Sequence, residues 1–174
     1  MSTGVGSAVS RSAVVGPIGA SADGYNADYI KSTGENTGTS GVAVDSTGAM
    51  YAVQNDPALG GWGLVKYAAG ATLADRPIAR WVGYTNGRYI SSNTRVIVDS
   101  ADGVWIADTD QQVLAYLAAG ATESDVMTVR RLGNGVTGVA VDAQGLTYVS
   151  MTWAGGVNVF PAGFTPDTTA SRVI

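Results

Sequence analysis

A short pattern returns three times along the chain, and it constrains the fold more than any other feature. Gly41-Val-Ala-Val-Asp45-Ser-Thr-Gly48 comes back as Arg95-Val-Ile-Val-Asp99-Ser-Ala-Asp-Gly103 and again as Gly138-Val-Ala-Val-Asp142-Ala-Gln-Gly145. An aromatic-bearing apolar run follows each: Met50-Tyr-Ala-Val53, Val104-Trp-Ile-Ala107 and Thr147-Tyr-Val-Ser150. A third run comes next, Leu64-Val-Lys-Tyr67, Val113-Leu-Ala-Tyr116 and Val157-Asn-Val-Phe160, closed by Ala69-Gly-Ala-Thr72, Ala119-Gly-Ala-Thr122 and Ala162-Gly-Phe-Thr165. The last run is Pro77-Ile-Ala-Arg-Trp-Val82, Met127-Thr-Val-Arg-Arg-Leu132 and Ala170-Ser-Arg-Val-Ile174.

Four short runs rich in β-branched and aromatic residues, separated by Gly, Asp and Asn, predict four strands per copy, and no stretch keeps a helical period. Asp-x-x-Gly between the first two runs predicts a tight hairpin. The carboxylate accepts from amides ahead of it and Gly supplies a positive φ. The second copy reads as one residue longer there, with Ser100-Ala-Asp102 before its Gly. Asp45 to Asp99 is 54 residues and Asp99 to Asp142 is 43. A four-stranded unit at this period predicts β-propeller blades, or else a stack of small sheets. The fold expected is therefore all-β and propeller-like in a single domain, with blades at 40–93, 94–136 and 137–174 and a partial blade and lead-in at 1–39.

The partial blade rests on a half copy. Val14-Val-Gly-Pro-Ile-Gly-Ala-Ser21 lines up with Asn158-Val-Phe-Pro-Ala-Gly-Phe-Thr165, and Tyr29-Ile-Lys-Ser32 follows at the place of a fourth strand. Closed propellers have about four to eight blades, and closure hides sheet faces from water. Three and a half blades leave terminal faces open, and burying apolar surface is favourable by about 25 cal/mol per Å². The expected cover is a second copy, another protein, or further polypeptide; the alternative is a compact four-bladed ring with a degenerate first blade.

The order GVAVD-x-x-G, aromatic strand, V-x-V-Y-like strand resembles NHL-type propeller repeats. Ala68-Ala-Gly-Ala-Thr72 and Gly34-Glu-Asn-Thr-Gly38 resemble the AAGA and GxNTG segments of bacterial versions. The resemblance covers 40–174 and part of the N-terminus. It implies a blade fold and little about activity, since propellers host unrelated functions.

Composition removes several chemistries. The 174 residues include no His and no Cys, which excludes a Ser-His-Asp triad, His-held metals, thiol nucleophiles and disulfides. A net charge of −4, with ten basic residues of which only Lys31 and Lys66 are lysines, leaves no basic stripe for nucleic acid. No apolar run approaches the roughly 20 residues of a membrane span, and the first residues lack the pattern of a secretory signal. Lactonase-like propellers hold a divalent ion with Glu, Asn and Asp, yet Glu35 and Glu123 are the only glutamates and neither falls near a first strand. No cofactor and no catalysis are expected. A divergent metal-dependent lactonase-like hydrolase is the least favoured alternative.

Among candidate site residues, Asp45, Asp99 and Asp142 recur because each copy needs its turn. Asp108 and Asp110 give an oxygen-rich loop that fits a hairpin better than calcium. Arg80, Arg130 and Arg172 fall at similar places in the fourth strands, where charge discourages edge pairing. The non-repeating aromatics are the partner-binding candidates: Trp62 in the loop 55–63, Trp153 in the loop 151–156, and Tyr84 and Tyr89 in the insertion 84–92. Together these features predict a non-catalytic structural or interaction protein, favoured as a subunit of an extracellular or virus-particle assembly. A protein partner or self-association would cover its terminal blades. The alternative is a loop-based protein- or glycan-binding propeller.

Overall fold

In a computed structural model the described residues are 38–72, 75–85, 87–133, 135–153, 155–163 and 169–174. All but the end of the expected partial blade at 1–39 lies outside them. The described chain forms three four-stranded sheets, each an antiparallel meander in sequence order. The first holds β1 (Thr39–Val44), β2 (Met50–Asp56), β3 (Gly61–Tyr67) and β4 (Ala79–Trp81). The second holds β5 (Thr94–Val98), β6 (Val104–Asp108), β7 (Val113–Leu117) and β8 (Thr128–Arg131). The third holds β9 (Val136–Val141), β10 (Thr147–Met151), β11 (Gly156–Phe160) and β12 (Arg172–Val173). The first strands lie against one another, β1 on β5 and β5 on β9, as blades do around an axis. The three sheets do not close a ring.

Each β1–β2-type hairpin turns on its aspartate. The Asp45 carboxylate accepts from the amides of Thr47 and Ala49, both at 3.0 Å, and Gly48 takes φ 88°. Asp142 does the same for Gln144 and Leu146, with Gly145 at φ 79°. The expected longer turn in the second copy is not there. Asp99 serves Ala101 and Gly103, and the residue three positions on is Asp102, at φ 64°. Asp102 therefore stands where the other copies have Gly, and Gly103 is already the next residue toward β6. Asp tolerates the left-handed region better than most side chains, and here its carboxylate gains a partner. It accepts from the amide of Ser46 at 2.7 Å and from the Ser46 hydroxyl, joining the turns of the first and second sheets.

Alternation along the strands builds two cores. Tyr51, Val53 and Leu64 of the first sheet pack on Val96, Val104, Ile106, Val113 and Ala115 of the second. The other face of the second sheet, with Trp105, Ala107 and Leu114, packs on Val149, Met151 and Phe160 of the third. Side chains alternate with period two, so the second sheet is buried on both faces, and β6 reads VWIAD without a polar residue until its end.

Two expectations need correction. The stretch 55–63 is not a long loop: β2 continues to Asp56 and β3 starts at Gly61, with Asn55 paired to Trp62. Ladder bonds satisfy the backbone there, and only a 3-10 turn, Pro57–Leu59, separates the strands. The three arginines do not take equivalent places in their fourth strands either. Arg80 pairs with Val65 but Arg130 with Leu114, one position along the equivalent third strand, and Arg172 with Val159. A one-residue offset turns a side chain to the opposite face. Arg80 accordingly bonds Asp56 at 3.0 Å, while Arg130 lies 5.3 Å over the Phe160 ring.

Candidate interaction surface

Register places the loops. Asp56 pairs with Gly61, Asp108 with Val113 and Met151 with Gly156, so the hairpins between second and third strands share one end of the sheets. The connections from fourth to first strands, residues 82–93 and 132–135, reach the same end. All four aromatic candidates are at this end, and the three Asp turns are at the other.

Buried carboxylates organise the loop end. Asp108 is fully buried. Its oxygens accept from the Tyr84 phenol at 2.8 Å, the Ser91 amide at 2.8 Å, the Ser91 hydroxyl at 2.6 Å and the Gln111 amide at 3.0 Å. Four donors make this a satisfied structural anion. Asp56, two residues beyond the position that matches Asp108, accepts from the Ala58 amide at 2.9 Å and from Arg80. Among the described residues no group of three or more acidic, His or Cys side chains stands in metal-binding proximity.

The insertion is a small hairpin clamped onto that centre. Gly83 bridges Tyr89, the Tyr84 amide donates to the Arg88 carbonyl at 2.8 Å, and Arg88 donates to the Gln111 side chain at 3.1 Å. Tyr84 is buried inside it. Burial and the adjacent Asp108 carboxylate push its phenol far above the usual tyrosine range, so it stays a neutral donor.

The four candidates thus separate. Tyr84 is a core residue with no free surface to offer. Trp62 is half-buried in β3, packs against the first core, and lies so near Gly38 that an added Cβ would meet its ring at 3.2 Å. Tyr89 and Trp153 remain 70% and 72% exposed, and Trp153 sits beside Gly135 in the turn after β10. Two exposed aromatics at one end, on hairpins anchored from beneath, can contact a macromolecular surface.

The opposite end is a scaffold. The second oxygen of each turn aspartate reaches across its sheet: Asp99 accepts from the Trp105 indole at 2.8 Å and Asp142 from the Tyr148 phenol at 3.0 Å. Asp45 meets Lys66 at 3.5 Å instead, and the ammonium lies 4.8 Å over the Tyr51 ring. Burial works against the Asp45 and Asp142 charges. The amide, hydroxyl and (at Asp45) Lys66 partners outweigh it, so both carboxyls are held below the usual carboxylate range. Two further aspartates went unread in the sequence. Asp75 and Asp125 each accept from the amide and hydroxyl of the threonine three residues earlier, Thr72 and Thr122. The repeated Thr-x-x-Asp spacing was the available signal.

The two outward sheet faces differ. On the first sheet, the face turned from the second carries Val42, Val44, Ala52, Val65 and Tyr67, and Val42 and Val44 are 53% and 45% exposed. Their counterparts Val96 and Val98, and Val139 and Val141, pack against the preceding sheet. On the third sheet, the outward face has Ser150 where the first two have Val53 and Ala107, bonded to the Thr137 hydroxyl at 3.0 Å.

No family model matches the sequence, and no curated protein matches it. Among solved structures, the crystal structure of a structural-genomics protein from Lactobacillus plantarum superposes with a TM-score of 0.52 at 11% identity, over 81% of this chain and 42% of that one. The fold is propeller-like. At that identity the likeness speaks for the fold alone, and this propeller-like chain spans less than half the length of its neighbour.

Proposed function

We propose that the chain is a non-catalytic structural or interaction protein built from NHL-like blades, a subunit of an extracellular or virus-particle assembly completed by its own copies or by a partner. The carrying observation is the half-exposed valine pair, Val42 and Val44, whose counterparts in the next two sheets (Val96, Val98, Val139 and Val141) pack against the preceding sheet. Fully burying a valine is favourable by about 1.5–3 kcal/mol, so an apolar strip of this kind favours a neighbour. The buried acids serve turns and loop anchors, which supports a role without catalysis. Sedimentation of the native protein tests the assembly: a mass above that of one chain is expected, and Val42→Asp with Val44→Asp should reduce it to the monomer. A monomer at all concentrations, with no partner required, would overturn it.

A second reading rests on Tyr89 and Trp153, which suit a protein or glycan surface. It expects binding on a glycan array or to a protein ligand that drops at least tenfold in Trp153→Ala, with the mass unchanged.

A further inference from the structure

We propose that Tyr89 and Trp153 belong to one ligand site, a track across the loop ends of the second and third sheets that takes a linear, uncharged oligosaccharide. This rests on the second reading above and deepens it, joining the two rings into one site and naming the ligand class.

Hydrogen bonds connect the rings through continuous structure. Arg88, next to Tyr89, donates to the Gln111 side chain at 3.1 Å, which seats the insertion on the hairpin between β6 and β7. The following residue, Gln112, accepts from the Leu132 amide at 3.0 Å. Leu132 packs its side chain against the second core and leads into Gly133 and Gly135. The Gly135 carbonyl accepts from the amide and the hydroxyl of Thr152, at 2.8 and 3.1 Å, and Trp153 is the next residue. Both aromatic hairpins are therefore fixed before a ligand arrives, which lowers the ordering cost of binding.

The ground between the rings is low and polar. Gly133 and Gly135 take positive φ, 73° and 68°, where a side chain is poorly tolerated. A Cβ on Gly133 would meet nothing within 4 Å, so the backbone there lies open to a ligand. Asp110, Gln111 and Gln112 stand on the neighbouring hairpin. Asn93 donates to Asp110 at 3.3 Å, and both residues are exposed. Among the described residues the Gln111 carboxamide nitrogen has no partner. The hairpin thus brings both donors and acceptors to the track.

This layout decides between ligand classes. A protein interface gathers its aromatic anchors in a dry centre and keeps polar groups at the rim. Here the order is reversed, with rings at the two ends and polar groups between them. A pyranose chain matches that order: its C–H faces cover aromatic rings, and its hydroxyls exchange hydrogen bonds with planar amides and carboxylates. Sheets packed face to face lie about 10 Å apart, so rings on neighbouring sheets call for several linked sugars rather than one. Arg88 and Asp110 bring one charge of each sign, which favours an uncharged chain over an acidic or basic one.

Calorimetric titration of the full chain with cellohexaose, maltohexaose, chitohexaose and mannohexaose, and with their monosaccharides, tests the proposal. At least one hexasaccharide should bind at least tenfold more tightly than its monosaccharide. Tyr89→Ala and Trp153→Ala should each weaken that binding at least tenfold and leave the urea midpoint unchanged, since both side chains are mostly exposed. Binding that depends on Trp153 but not on Tyr89, or that gains nothing from chain length, would overturn the single track and leave the second reading standing. No binding of any of these sugars would also overturn the proposal. A protein ligand lost in Trp153→Ala would then keep the second reading, and the lack of one would end both.

Discussion

Asp102 does at one position what the other two copies divide between a glycine and nothing. Its left-handed backbone costs about 1 kcal/mol relative to Gly, and its carboxylate holds the neighbouring turn through Ser46. Asp102→Ala keeps the strained φ and loses both bonds, so a loss of about 1–2 kcal/mol is expected. Asp102→Gly relieves the strain while losing the same bonds and should stay within about 0.5 kcal/mol of the parent. Urea midpoints at constant m-value measure the order; an alanine variant as stable as the parent would show that the latch contributes nothing. Leu114 is fully buried beside the Trp105–Tyr116 pair, whose rings are 4.7 Å apart. Leu114→Ala should cost about 2–5 kcal/mol, the range for a buried leucine truncation.

Among the elements, the insertion between β4 and β5 is the most dependent on one backbone contact. A Cβ on Gly83 would lie 2.4 Å from the Arg88 carbonyl oxygen, and backbone cannot swing aside as a side chain can. Gly83→Ala should therefore open the small hairpin and release Tyr89, read as faster amide exchange across 84–91 with the exchange of β6 and β7 unchanged. Protection retained across 84–91 would mean the Asp108 clamp holds the insertion without the bridge. The same element shows why a loop aromatic is hard to judge from sequence. Tyr84 and Tyr89 stand five apart in one polar segment, yet one is a core hydrogen-bond donor and the other is bare. The difference is set by a carboxylate 24 residues further on.

At the scale of the molecule, turn carboxylates link stability to pH. Asp45 and Asp142 have folded pKa values depressed below their unfolded ones, so their contribution is complete above the ordinary aspartate value of about 3.9 and is lost as pH falls through the folded values. Lys66 runs the other way. Its folded pKa is raised, so its contribution disappears only as pH climbs past the ordinary lysine value of about 10.4. Denaturation midpoints should thus be flat from pH 6 to 8 on account of these groups and fall below about pH 4. Asp142→Asn should make that acid limb shallower; an unchanged limb would place the linkage elsewhere. The asymmetry of the outer faces belongs to this scale too. Ser150 and Thr137 put hydroxyls on the far face of the third sheet, whereas Val42 and Val44 leave an exposed apolar strip on the first.

Much of this was legible in one dimension. Alternation and turn chemistry are local, so Asp45, Asp99 and Asp142 predicted their hairpins, and the four runs per copy became four strands within a few residues of the expected places. Where the sequence misled, identity was taken for geometry. Gly103 was matched to Gly48 and Gly145 by residue type, although the backbone counts positions from the aspartate and hands the left-handed place to Asp102. The arginines were matched by their place in a run, although a single step of register decides the face. Trp62 reads as a loop residue because Pro57, Gly60, Gly61 and Gly63 surround it, but ladder pairing with β2 carries the strand through. The sequence alone determined the repeating unit, because each strand and turn is specified by residues within a few positions of it. Which side chains became core, clamp or open surface was decided only in three dimensions, because burial depends on what the neighbouring sheet brings to the same spot.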